Sequence, residues 1–272
     1  MYLTIDVGGT KTLIASFDNT GQIINKIKFE TPLEYRDFLT ILADNILKLG
    51  EINYEYVGAA FPEMINQADN TLVAGGTLQW HNVNPKKDIN NITNCPVLID
   101  NDANLAGLSE AIIIKDHFSR VLYLTISTGI GGALIINQKI DQTLINMEPG
   151  HMILNHDNKA MIWEAFASGK AIVSTFNKYA RDIDDKDSWI KIADNISQGI
   201  IALLPIIQPE VIVIGGSIGT YFEKYGQYLN QKVQDITDVL ILKPEIIKAD
   251  HPEEAVIYGC YQLIKQATSL TN

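Results

Sequence analysis

Apolar and polar positions along this 272-residue chain fall into blocks that read as short strands and amphipathic helices. The first block, Tyr2–Val7, is apolar apart from Thr4 and Asp6 and predicts a buried strand. Thr12–Phe17 and Gln22–Phe29 follow as strands, with Asp18-Asn19-Thr20-Gly21 as the hairpin turn between them. Glu34–Leu49 predicts a helix, because Tyr35, Phe38, Leu39, Leu42, Ile46 and Leu49 recur at three- and four-residue steps. Strands at Tyr54–Ala60 and Pro96–Asp100 flank a short helix that runs from Asn84-Pro85 to about Ile92, with Asn84 as cap and Pro85 in the first turn. A further helix starts around Asp102.

The second half repeats the style. Strands are predicted at Arg120–Ile126 and Gly132–Ile136, with a short piece after Gln138. Helices are predicted at Met161–Ala180, broken near Gly169, and at Ser188–Ile207. Glu210–Ile214 reads as a strand, Gly215-Gly216 as a turn and Ile218–Gln234 as a helix. A strand at Glu245–Ala249 and a helix from Pro252 to about Thr268 close the chain. Each half is a three-stranded meander followed by alternating helices and strands, which is an α/β organisation. The expected domains are residues 1–104 and 105–252, with the break inside the helix after Asp102 and the last helix, 253–272, packing back on the first domain.

Leu3-Thr4-Ile5-Asp6-Val7-Gly8-Gly9-Thr10 has an echo at Leu124-Thr125-Ile126-Ser127-Thr128-Gly129-Ile130-Gly131-Gly132. Both are apolar strands that run into turns of Gly, Ser and Thr. Such turns expose backbone N–H groups and hydroxyls without side-chain bulk, and can close around phosphate oxygens. Two of them predict two half-molecules that grip one polyphosphate from opposite sides, the layout of an ATP-using phosphotransferase.

Charge narrows the partners. With 21 basic and 32 acidic residues the net charge is −11, which repels nucleic acid and anionic membrane surfaces. Cys95 and Cys260 are the two cysteines and lie far apart, as expected of a protein of the reducing cytoplasm. No signal peptide is expected, because Asp6 and Lys11 interrupt the N-terminal apolar stretch, and no run of about 18 apolar residues predicts a membrane span.

Asp6-x-Gly8-Gly9-Thr10-Lys11, Asn101-Asp102-Ala103-Asn104, Ser127-Thr128-Gly129-x-Gly131-Gly132, Glu148-x-Gly150-His151 and Gly215-Gly216 together resemble the bacterial ROK (repressor, open reading frame, kinase) sugar kinases, in order and over nearly the whole chain. The resemblance implies a two-domain actin-like, ribonuclease-H-like ATPase fold with an interdomain cleft, a homodimer, and ATP with Mg²⁺ as cofactors. The implied reaction is phosphorylation of a hexose or N-acetylhexosamine, at the 6-hydroxyl. Glucose, mannose, fructose, allose and N-acetylmannosamine all remain open.

The residues give these motifs their chemistry. Asp6, at the mouth of the first turn, can hold Mg²⁺ through water, since Mg²⁺ gives up water reluctantly. Gly8, Gly9 and Thr10, with Thr128, Gly129 and Gly131 of the second turn, would offer donors to phosphate; Lys11 either joins them or sits at the surface. Read alone, Asp102 is a helix cap or a general base; the resemblance selects the base. Asn101 beside it can bond a neighbouring sugar hydroxyl. The resemblance places Glu148, His151 and Glu164 on the sugar, and Gly215 and Gly216 against the adenosine. Thr77-Leu78-Gln79-Trp80, preceded by Gly75 and Gly76, resembles a sugar-side loop and is expected to be mobile.

One departure stands out. Family members commonly carry a Cys-x-Cys-Gly-x-x-Gly-Cys stretch that binds a structural zinc with the Gly-His histidine, whereas Met152–Trp163 here is short and has no cysteine. No zinc site is therefore expected, and Met161 and Trp163 are expected to hold this stretch by packing. Two rival functions remain: a transcriptional regulator, disfavoured by the acidic charge and by a start directly at the first strand, and a sugar-binding protein without catalysis.

Overall fold

The computed structural model describes residues 1–50, 53–73, 76–251 and 254–269. The chain divides into two compact units, one of residues 1–109 with 254–272 and the other of residues 110–253.

In the first unit β1 (Tyr2–Val7), β2 (Lys11–Phe17) and β3 (Ile23–Glu30) form an antiparallel meander. Then come α1 (Tyr35–Lys48), β4 (Tyr56–Phe61), α2 (Pro85–Thr93), β5 (Val97–Asn101) and α3 (Asp102–Ile113). The sheet order is β3-β2-β1-β4-β5, with β4 parallel to both β1 and β5. Strand alternation in β1 decides what lies on each face. Leu3, Ile5 and Val7 pack with Phe38 and Leu42 of α1 and Ile89 of α2. Tyr2, one step out of phase, packs with the C-terminal helix through Ile257, Tyr261 and Ile264. Asp6 has the parity of Tyr2, so it projects to that second face. Asn84 caps α2 as expected, accepting from the Lys87 amide at 2.9 Å.

The second unit opens with β6 (Arg120–Ile126), β7 (Ile130–Ile136) and β8 (Lys139–Ile140) in a second meander. A hairpin of β9 (Ile153–His156) and β10 (Lys159–Ile162) precedes α4 (Glu164–Ala167), α5 (Gly169–Phe176) and α6 (Lys186–Ile207). β11 (Val211–Gly215), α7 (Gly216–Gly219), α8 (Phe222–Gln234) and β12 (Glu245–Lys248) complete it. Its sheet order, β8-β7-β6-β11-β12, repeats the first in connection and in sense. α9 (Ala255–Ser269) belongs to the first unit; the expected helix start at Pro252 lies outside the described residues. Gly259 lets α9 cross α3 closely, since a Cβ there would collide with the Leu105 carbonyl.

Two expectations change. Met161 and Ile162 are strand, not helix: Asp157 and Asn158 take φ of 49° and 62° and turn the chain back as a hairpin. The helix expected over 218–234 is two, because the Thr220 hydroxyl donates to the Ser217 carbonyl at 2.7 Å and Tyr221 leaves the helical conformation. α6 is long and apolar enough to cross a membrane by length and composition. Its apolar side is instead core: Trp189, Ile192, Ala193, Ile196, Ile200 and Leu204 are buried.

Glu110, buried in α3, accepts from the amides of Asp250 at 2.7 Å and His251 at 2.9 Å. Glu110→Ala leaves both donors without that acceptor and should lower stability by about 2–3 kcal/mol in denaturant titration. An unchanged midpoint would show that water replaces the carboxylate without loss.

Candidate active site

The first glycine turn is held by its neighbours. The Gly8 amide donates to the Lys11 carbonyl at 2.9 Å, and the Thr31 hydroxyl donates to the Gly8 carbonyl at 2.7 Å. Thr10 and Lys11 are exposed, Gly8 and Gly9 partly so. A Cβ at Gly9 would strike the Thr77 methyl, so residues of the 76–80 stretch lie directly against this turn. Leu78 and Trp80 of that stretch are buried, Trp80 against Phe38 and Tyr35, with its indole N–H on the Leu33 carbonyl at 2.9 Å. The mobile loop expected at Gly75 lies outside the described residues.

Asp6 is the one residue of β1 that is not fully buried. Its carboxyl is raised from 3.8 to about 7, chiefly because most of its surroundings are protein, secondly because Asp102 is a like charge nearby, with Lys28 pulling the other way. Asp102 is the first residue of α3, and its Oδ1 accepts from the Ala103 amide at 2.7 Å. β5 ends at Asn101. Asp100 therefore stays inside, where its Oδ1 accepts from Asn104 Nδ2 at 2.8 Å and from the Asn101 amide at 2.7 Å. Asn101 caps α3 through Oδ1, accepting from Ala103 at 2.9 Å, while Nδ2 donates to the Phe61 and Glu63 carbonyls at 3.5 and 3.4 Å. Its amide is thus committed to holding the start of α3, next to Asp102.

In the second unit Ser127 stands where Asp6 stands in the first. The Ser127 amide donates to the Gly129 carbonyl at 2.9 Å, and the Ser127 carbonyl receives the Gly169 amide at 2.6 Å. This seats the N-terminus of α5 on the second turn. Glu164 meets the same turn: the Ile130 amide donates to its Oε2 at 3.2 Å, and a Cβ at Gly129 would lie 2.7 Å from that oxygen. Its Oε1 is 3.9 Å from His151 Nε2. Gly129, His151 and Glu164 are therefore brought together. Glu148 is exposed at the start of the 3₁₀ turn Pro149–His151, and its carbonyl accepts from the His151 amide at 3.1 Å. Gly131 lies within β7.

The stretch without cysteines is held by stacking. His156 of the β9–β10 hairpin lies parallel to Phe166 at 4.0 Å, with Nδ1 3.2 Å from Gln198 Oε1. Trp163 is fully buried, its indole N–H on the Asn195 carbonyl at 3.3 Å, and Met161 packs on the same core.

A cavity of about 650 Å³ in the second unit has Ser127, Thr128, Gly169 and Lys170 at one side and Tyr179, Arg181, Ser217 and Tyr221 elsewhere in its wall. Gly215 and Gly216 shape it without lining it. A Cβ at Gly215 would strike the Tyr123 ring, and Gly216 has φ of +77° with the Ile126 carbonyl 2.6 Å from where its Cβ would be. Lys170, Tyr179, Arg181 and Ser217 were not singled out in the sequence; Lys170 follows the helix break at Gly169, a position at which a cation beside a turn could have been noticed.

The two repeated five-stranded sheets and the strand-to-glycine turns define the class: the actin-like, two-domain fold. The ROK family model matches residues 2–267, and the chain belongs to the ROK family. A ROK glucokinase from Streptomyces griseus, solved with glucose and AMPPNP, superposes with a TM-score of 0.81 at 21% identity over 97% of this chain and 99% of that one. An N-acetylgalactosamine kinase from Shewanella sp. is 26% identical over 80% of this chain and 82% of its own. A xylose repressor from Caldicellulosiruptor bescii is 24% identical over 76% of this chain, which spans 62% of the repressor. The relatives thus include both sugar kinases and a repressor.

Asp6 gives a stability test. Its folded-state proton affinity is raised, so the folded chain keeps a proton that the unfolded chain has already lost. Stability present below about pH 4 is lost as pH rises towards 7. Without added metal, Asp6→Asn should melt several degrees above wild type at pH 8 and near wild type at pH 4, a gap on the order of a few kcal/mol. A constant difference across pH would contradict this.

Proposed function

We propose that the chain is an ATP-dependent sugar kinase that phosphorylates a hydroxyl, the 6-hydroxyl by family resemblance, of a hexose or an N-acetylhexosamine. The observation that carries the reading is the pair of carboxyls at the end of β1 and the start of α3, where Asp102 is a like charge close enough to raise the proton affinity of Asp6. A hard divalent cation is suited to such oxygen donors. Asp6 would hold Mg²⁺ through water; when bound, the ion offsets charge on the phosphates.

Asp102 takes the proton of the acceptor hydroxyl. Its Oδ1 accepts from the Ala103 amide at the N-terminus of α3, which holds the carboxyl at the helix start. As the hydroxyl oxygen bonds to the γ-phosphorus, the bond to the β–γ bridging oxygen breaks, ADP leaves, and the proton rests on Asp102. Asn101 fixes the helix start and so the carboxyl. Gly9 and Thr10 of the first turn would offer donors to phosphate, the Gly8 amide being spent on the Lys11 carbonyl, and Lys11 is an exposed cation beside that turn; Thr128 and Gly129 of the second turn carry the same chemistry. The cavity walled by Lys170, Tyr179, Arg181 and Ser217 suits the nucleoside and its inner phosphates. Glu148, His151 and Glu164 would receive and donate bonds to sugar hydroxyls.

The repressor relative favours a second reading, a sugar-binding protein without turnover. ADP release measured over a sugar panel with and without Mg²⁺ separates the two. One or more sugars should stimulate release only with Mg²⁺. A sugar that raises the melting temperature while none stimulates release would decide for binding alone. Asp102→Asn should keep nucleotide affinity in calorimetry and lose about 10²–10⁴-fold in turnover; near-normal turnover would remove Asp102 as the base.

A further inference from the structure

Glu63 follows β4 in a loop and is 4% exposed, unusual for a loop carboxylate. Its Oε1 accepts a short hydrogen bond from the Leu78 amide. Its Oε2 lies against Gly76, so closely that a Cβ on Gly76 would collide with it. Between these contacts sits Thr77, whose methyl rests against Gly9 of the first glycine turn. The main chain of Glu63 looks the other way: its carbonyl receives Asn101 Nδ2 at 3.4 Å, from the residue that precedes Asp102 and caps its helix.

One residue thus ties three pieces together: the loop stretch 76–78, the glycine turn it covers, and the cap beside the proposed base. A carboxylate buried in a loop is retained against its desolvation only when specific donors hold it, and here the donor is the amide of the segment it anchors. We infer that Glu63 is a positioning residue for the acceptor side of the site, fixing the 76–78 wall relative to Asp102. The inference rests on the kinase reading for its kinetic consequence and on the hydrogen bond alone for its structural one. The contacts of Glu63 described above, to Leu78, Gly76 and Asn101, all lie in the first unit.

The test uses the full chain and three variants. Glu63→Ala should raise the KM for the sugar found in the panel by about tenfold or more and leave the KM for ATP within about twofold. Glu63→Gln keeps an acceptor oxygen for Leu78 and should restore sugar KM to within about threefold of wild type. Gly76→Ala leaves Glu63 in place but displaces its carboxylate, and should reproduce the sugar-selective defect even where Glu63→Ala fails to fold. Hydrogen exchange supplies the readout independent of catalysis: the Leu78 amide should be protected in wild type and Glu63→Gln and unprotected in Glu63→Ala or Gly76→Ala. A wild type that phosphorylates no sugar but shows this exchange pattern overturns the kinase reading and keeps the clamp. An active enzyme in which Glu63→Ala and Gly76→Ala raise neither KM, or both equally, overturns the positioning role, as does unchanged Leu78 protection.

Discussion

A carboxyl group is forced to the end of a strand whose other residues are buried. Asp6 ends up among protein atoms, with Asp102 as a like-charged neighbour, and its proton affinity rises accordingly. Such a group works against the folded state at neutral pH, so the surroundings must supply enough stability to keep it there. They do so through packing: β1 lies at the middle of its sheet, between β2 and β4, with α1 and α2 on one face and α9 on the other. The close crossing of α9 over α3 at Gly259 ties the last helix to the element that begins with Asp102. The two carboxyls are thus set by elements that pack on the middle of the sheet.

The second unit solves a different problem with the same topology. At the matching position of its sequence repeat it carries Ser127, which brings no charge, and some of the turn's donors are taken within the fold. The Ser127 carbonyl holds the start of α5, and Glu164 lies on the amide of Ile130. One scaffold therefore places a carboxyl beside one turn, and beside the other a serine with Glu164 on a turn amide. The β9–β10 hairpin supports the latter: His156 stacked on Phe166 anchors the short helix that begins with Glu164. A chain without cysteines in this stretch can thus fix the same helix by aromatic packing.

Most strands and the amphipathic helices could be read from periodicity, because each buries one face against a partner of the same unit. β1 and α1 show this directly. The hairpin could not, since Met161 and Ile162 continue the apolar spacing of the helix that follows, and only the paired Asp157-Asn158 turn marks the reversal. The break between α7 and α8 depends on a local hydroxyl competing for a carbonyl, which spacing does not report. In the site, Asp6 and Asp102 were legible because they punctuate the ends of elements. Asn101 was legible as a polar group, but its amide is spent on a cap and not left for a ligand. Glu63 gave no signal, because a glutamate in a loop reads as solvated until the fold shows what encloses it.

Net charge and local charge point in opposite directions here, and the local one governs ligand binding. A chain of net charge −11 repels a polyphosphate at long range. At ionic strengths like those of cells, that repulsion fades beyond roughly 8 Å, whereas donors within hydrogen-bond reach are little screened. Lys170 in the wall of the second unit's cavity, and Arg181 lying 4.8 Å over the Tyr179 ring, would therefore matter more to a bound anion than the overall balance. Arg181 is also 3.7 Å from Asp182, so part of its charge is already answered before an anion arrives. Lys170 has no such ion pair among the described residues, so of the two cations in this wall its charge is the less answered.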